Sequence, residues 1–239
     1  MRYIYGPVKS RRLGLSLGVS LTPYKICNFD CIYCQLGRTA EKTGARSEFA
    51  RLEDIMGELN SWLQNNPEEA KNLNFITISG FGEPTLSTAI GEVIREIKKG
   101  AQIPVSVITN SSMLSEADVR SQLLAADLIV PSLDAATQAI FVKIDSPAQG
   151  LRIEEIIQGL VNLRKEFRGK IWLEVMVVRG VNDSLVEIRK LKEAIDQINP
   201  DRIHINSPVR TTAGENILPA DKKKLNKIKE ILGEKAEIV

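Results

Sequence analysis

The 239-residue chain is poor in several residue types, and each scarcity excludes something. Aromatic residues make up 5%, too few for an extended platform on which nucleic-acid bases could stack. Neither sign of charge dominates: 32 Lys and Arg stand against 30 Asp and Glu, a formal net charge of +2. Overall charge therefore makes no case for a polyanionic partner, and RNA is possible without being indicated. No apolar run is long enough to span a bilayer, so no membrane partner is expected. The N-terminus, Met1-Arg2-Tyr3-Ile4-Tyr5-Gly6-Pro7, lacks a signal-peptide core. The chain has one histidine, His204, and three cysteines, an odd number crowded into eight residues. A disulfide framework is not expected on that count, and a reducing, cytoplasmic location is. What remains plentiful is apolar: 43% of residues are hydrophobic, enough for the core of one domain.

The cysteines stand as Cys27-Asn28-Phe29-Asp30-Cys31-Ile32-Tyr33-Cys34. Free cysteines that serve only as packing are buried singly, so this grouping points to a soft-ligand metal site. A closed zinc site wants four protein ligands; His204 or the nearby Asp30 would have to complete it. A cubane iron–sulfur cluster is ordinarily held by four cysteines, and with three it keeps one iron open to a substrate or cofactor. Ligand type favours the cluster, with zinc as the other reading.

Elsewhere the hydrophobic pattern alternates between short strands and amphipathic helices. Leu17 to Leu21, Phe75 to Ser79, Pro104 to Thr109, Leu128 to Pro131, Lys170 to Val178 and Arg202 to Asn206 read as strands. Leu52 to Leu63, Thr85 onward, Ser115 to Ala125, Ile153 to Phe167, Leu185 to Ile198 and Pro219 to Leu232 read as helices, with Ser115 as an N-cap. Residues 6–18 read as a loop in which Arg11 or Arg12 reaches an anionic group, and Arg38 to Arg46 as a mobile basic loop that is either a lid or a connector. Six such alternations predict a parallel sheet with crossover helices, an open (β/α)6 partial barrel of α/β class. Residues 1–218 would form the barrel domain, with a C-terminal helix, 219–239, packed on it. Ligands of such sheets sit beyond the carboxyl ends of the strands. The polar and glycine-rich clusters, Gly80-Phe81-Gly82-Glu83-Pro84 among them, all fall there.

Cys27, Cys31 and Cys34, with Tyr33 before the last, resemble the CxxxCxxC signature of the radical S-adenosylmethionine (SAM) superfamily, and Gly80 to Pro84 resembles its Gly-Gly-Glu element. The resemblance implies a TIM-like partial barrel, a [4Fe-4S] cluster on the three cysteines, and SAM chelated by the open iron. One electron then cleaves SAM to methionine and a 5'-deoxyadenosyl radical, which abstracts hydrogen from a substrate. It also implies roles for single residues. Gly80, Gly82 and Glu83 would hold the amino group of SAM. Asn110 and Ser132 would touch its methionine part. Glu174 would take the ribose hydroxyls unless an arginine neutralises it, and Asn206 would lie on the strand that cradles adenine. Phe29 and Tyr33 would shield the cluster, the Tyr33 backbone touching adenine, and Asp134, toward solvent, would touch substrate. An external one-electron reductant such as a ferredoxin or flavodoxin is implied. The stretch Gly6 to Gly18 and the cysteine loop resemble a subgroup related to tRNA wyosine-base synthases, without the second cysteine cluster that some of those carry and with a shorter C-terminal part. The substrate is left open between RNA, protein and small molecule, and the basic loop Arg38 to Arg46 would suit an anion. A non-catalytic metal or electron-transfer module is the alternative from another class.

Overall fold

The computed structural model describes residues 2–209, 212–214 and 216–239; Arg210, next to the last predicted strand, lies outside them. In chain order the elements are β1 Ile4–Ser10, β2 Gly14–Val19, α1 Leu52–Asn65, α2 Pro67–Lys71, β3 Phe75–Ile78, α3 Ile90–Gly100, β4 Val105–Thr109 and α4 Ala117–Leu123. They continue with β5 Leu128–Pro131, α5 Gln138–Asp145, α6 Ile153–Glu166, β6 Lys170–Met176, α7 Leu185–Ile198, β7 Arg202–Asn206, α8 Lys222–Leu232 and β8 Ala236–Ile238. The strands form one sheet in sequence order. From β2 to β8 every pairing is parallel, while β1 runs antiparallel to β2. Strand–helix units starting at β2, β3, β4, β5, β6 and β7 supply the predicted (β/α)6 repeat, so the fold is a TIM-like partial barrel with an open sheet.

Strand alternation explains its two faces. Leu17, Ile76, Val107, Ile129, Leu173 and Ile205 point outward and are buried under the helices in the main core. The helices meet them with the predicted stripes, such as Ile90, Val93, Ile94 and Ile97 of α3. The inner face is mixed. Leu13, Leu128 and Val130 form a small apolar plug with Phe75, Ile108 and Trp172. Beside it the hydroxyls of Ser16, Thr77 and Ser106 bond one to the next across three strands, which satisfies each buried group.

Several local expectations are corrected. Residues 6–18 are a β-hairpin rather than a loop. Gly6-Pro7 hides β1 from pattern reading, but an edge strand with a register shift between Tyr5 and Val8 accommodates both residues. Helix α3 starts at Ile90, not Thr85, because the Glu83 side chain accepts the Thr85 N–H and closes a short 3-10 turn, Pro84–Leu86. Ser115 does not cap α4, whose N-cap is Glu116. α5 and β8 were not foreseen; the stretch 219–239, expected as a C-terminal helix, is helical only over Lys222–Leu232 and then adds the three-residue β8 to the far edge of the sheet.

The turn between β1 and β2 closes the open side of the barrel. Leu13 is buried in the lumen plug. Arg12 forms an ion pair with Glu174 in β6. Arg11 donates to the Val239 carbonyl at 2.8 Å and to Asn206 Oδ1 at 3.1 Å, joining the first edge of the sheet to the last. Burying Leu13 contributes about 1.5–3 kcal/mol, and a hydrogen bond from a charged group up to about the same. Apolar burial and the arginines therefore hold the strap together, and the arginines also fix its register.

His204 belongs to this seam. Its ring is buried edge-on to Trp172, with centroids 5.4 Å apart, and Nε2 lies 3.0 Å from Glu237 Oε1. Nδ1 is buried with no partner, which fits a neutral ring that donates from Nε2. Desolvation holds its pKa below the usual value; Glu237 opposes this, and the Arg12 and Arg202 cations reinforce it. The folded state therefore binds this proton more weakly than the unfolded chain. Its contribution is fully present above a pH of about 6.5 and is lost as pH falls below that. Melting temperatures taken at about pH 8 and about pH 5.5 are expected to show a smaller acid-side drop for His204→Gln than for the wild type; equal drops would remove His204 from the acid response.

Candidate functional site

The cysteine loop carries no helix or strand of its own and is held by backbone hydrogen bonds. On one side the Gly80–Pro84 loop grips its first residues. Ile26 N–H donates to the Phe81 carbonyl at 3.1 Å, and Glu83 N–H donates to the Ile26 carbonyl at 2.9 Å. Gly82 permits this approach: at φ +119°, a Cβ there would lie 1.8 Å from the Ile26 carbonyl oxygen. On the other side α5 supplies its C-terminal carbonyls, which have no partner within the helix. Asp30 N–H bonds to Asp145 O at 3.0 Å and Ile32 N–H to Ile144 O at 3.0 Å. Gly214 N–H closes a third side, on Ile32 O at 2.8 Å.

So held, the loop brings Cys27, Cys31, Cys34 and Tyr33 to the carboxyl ends of the strands. There they line one cavity of about 280 Å³ with Gly80, Gly82, Glu83, Asn110, Ser132, Glu174 and Asn206. Every expected cofactor-binding and metal-binding position thus faces the same space. Arg12, one of the two arginines expected to reach an anionic group, lines it as well; pattern reading missed Gln35, Ser79, Ile108, Thr109 and Met176, which line it too. Ser79, Ile108, Thr109 and Met176 sit at or beside strand ends, so strand topology was the signal that could have found them.

Glu83 is buried and its carboxylate is heavily engaged. Oε1 accepts from Thr85 N–H at 3.0 Å, from the Thr85 hydroxyl at 2.6 Å and from the Thr109 hydroxyl at 2.6 Å; Oε2 accepts from Asn110 N–H at 2.6 Å. Desolvation pushes its pKa up, against the pull of these bonds. Glu83 therefore ties β3 to β4 and fixes the rim. Asn110 Nδ2 in turn donates to Asn28 Oδ1 at 2.9 Å, which ties β4 to the cysteine loop. Glu174, posed between ribose and arginine, has its arginine, and Asn206 Nδ2 also donates to it at 3.1 Å.

Asp134 is not toward solvent. It is 5% exposed, accepts the Met176 N–H at 2.7 Å and takes the hydrogen bond of the Tyr33 hydroxyl. Asp145, 3.4 Å from the same hydroxyl, was missed because α5 shows no readable helical period. Desolvation raises Asp134 to about 6 and, with Asp134 beside it, pushes Asp145 well up. Desolvation also pushes the Cys27 thiol up to about 12, with Glu83 adding to it, and the Cys31 thiol well up, with Asp145 and Asp134 adding to it. Both sulfurs keep their protons at neutral pH until a metal displaces them. The basic loop is a docked connector rather than a lid: Arg46 donates to Thr85 O at 2.8 Å and Ser87 O at 3.0 Å, and Lys42 to Ser146 O at 3.0 Å.

The donor set discriminates between metals. A single zinc needs its thiolates about 2.3 Å from one centre. Among the described residues no three His, Cys, Asp or Glu side chains are grouped to hold one ion. His204, the fourth ligand a zinc would need, is engaged by Glu237 and does not line the cavity. Three thiols spread around one cavity fit a cluster, which takes each on a separate iron.

Comparison with known proteins agrees with this geometry. A profile of the Radical SAM superfamily matches residues 21–204. A UPF0026 protein of Methanocaldococcus jannaschii is 33% identical over 234 residues, covering 98% of this chain and 72% of its own. A Brachyspira hyodysenteriae protein named GTPase Obg is 38% identical over 226 residues; these cover 95% of this chain, which spans 33% of that protein. The structure of TYW1 with a lysine-pyruvate adduct bound superposes with a TM-score of 0.69 over 91% of this chain and 72% of that one, at 20% identity, a likeness of fold. Among the described residues no helix is long and apolar enough to cross a membrane. With most of its length inside the matched profile and a UPF0026 relative along nearly all of it, this chain belongs to the radical SAM superfamily.

Proposed function

We propose that Cys27, Cys31 and Cys34 hold a [4Fe-4S] cluster and that SAM occupies the cavity against it. When bound and reduced, the cluster supplies the electron that cleaves SAM to methionine and a 5'-deoxyadenosyl radical, which takes hydrogen from a substrate. The observation that carries the reading is the meeting of three thiols, a glycine rim and four strand ends around one cavity.

The chain's own residues bind and orient. Gly80 and Gly82 present backbone to the SAM amino group, a rim that Glu83 keeps in place through Thr85, Thr109 and Asn110. Asn110 and Ser132 contact the methionine part, and Asn206 lies beside adenine. Glu174 takes the ribose hydroxyls while staying close to Arg12, since a buried carboxylate left without its cation would cost about 3–5 kcal/mol. Tyr33 offers adenine its backbone, because its hydroxyl is spent on Asp134. Phe29, packed edge-on against Phe141 at 5.3 Å, keeps water from the inner side of the loop. Arg12, the one cation lining the cavity among the described residues, is paired with Glu174. All three cysteines are used by one cluster, so the electron comes from an external donor, a ferredoxin or flavodoxin.

Protein reconstituted anaerobically is expected to bind about four irons per chain, and to release 5'-deoxyadenosine and methionine when given dithionite and SAM. One zinc without iron, or a full cluster without either product, would overturn the reading. Gly82→Ala is expected to cut iron retention roughly tenfold while leaving the far-ultraviolet circular dichroism unchanged, because the added Cβ displaces the run into Cys27 and not the barrel. Wild-type iron content in that variant would show that the close backbone approach is dispensable.

A further inference from the structure

The three sulfurs sit in unequal surroundings. Cys27 Sγ accepts weak bonds from neutral donors, the Phe29 N–H at 3.4 Å and Asn110 Nδ2 at 3.7 Å. Cys31 lies against a carboxyl group, Asp145. Cys34 has a cation, the Lys25 ammonium, with Nζ 3.3 Å from Sγ. Lys25 is half-buried and precedes the loop, and its Nζ also donates to the Gly37 carbonyl just beyond Cys34. The ammonium is therefore fixed between two acceptors rather than trailing in solvent. Its placement does not come from proximity in sequence alone, since Cys34 lies nine positions beyond Lys25.

The potential of an iron–sulfur cluster depends on its net charge, on hydrogen bonds to its sulfurs and on exposure to solvent. A cation donating to a ligand sulfur acts through the first two together. Reduction adds negative charge to the cluster, so a nearby ammonium stabilises the reduced form more than the oxidised one. Half-burial weakens the screening that water would impose on an exposed pair.

We propose, resting on the cluster reading above, that Lys25 is a redox-positioning residue: its ammonium, held by the Gly37 carbonyl, donates to the Cys34 thiolate and raises the reduction potential of the cluster. The function served is loading. A cluster that is easier to reduce accepts an electron from a weaker external donor.

The test is the midpoint potential of the reconstituted holoenzyme, followed by the paramagnetic signal of the reduced cluster. Lys25→Met is expected to shift the reduction equilibrium about tenfold toward the oxidised form, about 59 mV for a one-electron couple. Lys25→Gln, which keeps a donor without the charge, should fall between Lys25→Met and the wild type. Lys25→Arg should restore most of the wild-type value. Full iron content with an unchanged potential in Lys25→Met overturns the proposal. So does loss of the cluster in both Lys25→Met and Lys25→Gln at unchanged melting temperature, which would make Lys25 a strap for the loop only. A wild-type chain that binds one zinc and no iron sinks the cluster reading itself, a result distinct from both.

Discussion

The site rests on a backbone contact that excludes any side chain. Gly82 lies so close to the Ile26 carbonyl that a single added carbon would overlap it, and the chain leaves that contact straight into Cys27. The cysteine loop contains no regular structure to stiffen it. Its geometry is borrowed from the β3 rim, from the last turn of α5 and from the segment around Gly214. Those supports belong to different parts of the sheet, so the loop takes its shape only once the barrel has closed.

Closure is itself achieved by a short element. The β1–β2 turn places Leu13 in the lumen and lays Arg11 and Arg12 across the seam toward β6, β7 and the last residue, Val239. An open sheet of parallel strands otherwise exposes two unpaired edges, a liability that edge strands and covering side chains manage. Here the strap also brings a guanidinium into the cavity. Glu174, a carboxylate in a largely apolar strand, is thereby buried with a partner rather than alone. One turn thus serves fold and site together.

The polar groups around the cavity divide into those that build the rim and those that face the ligand space. Glu83, Asn28 and Asp134 are spent on protein partners, and their substitution would alter where other atoms lie. The buried pair Asp134 and Asp145, with the Tyr33 hydroxyl between them, puts acidic groups behind Cys31, while Lys25 puts a cation beside Cys34. The ligand sulfurs therefore sit in a field that runs across the loop, and a bound group would feel its two ends differently.

What the sequence determined by itself is considerable. Cysteine spacing, the Gly80–Pro84 run and the strand–helix alternation were enough for the (β/α)6 order and, with the family resemblance they carry, for most of the residues that line the cavity, because period and motif are local properties of the chain. Elements with no local period were not legible: β1, interrupted by Gly6 and Pro7; α5, whose apolar residues stand side by side; and β8, three residues long. Partner choice was likewise undetermined. Glu174 could be read as a ligand for ribose or for arginine, and only the folded seam, bringing residue 12 to residue 174, supplied the arginine. Asp134 looked solvent-facing until Tyr33 and Met176 closed over it. The physical reason is the same in each case: a hydrogen bond or ion pair between segments far apart in the chain is decided by packing, which sequence pattern specifies only in outline.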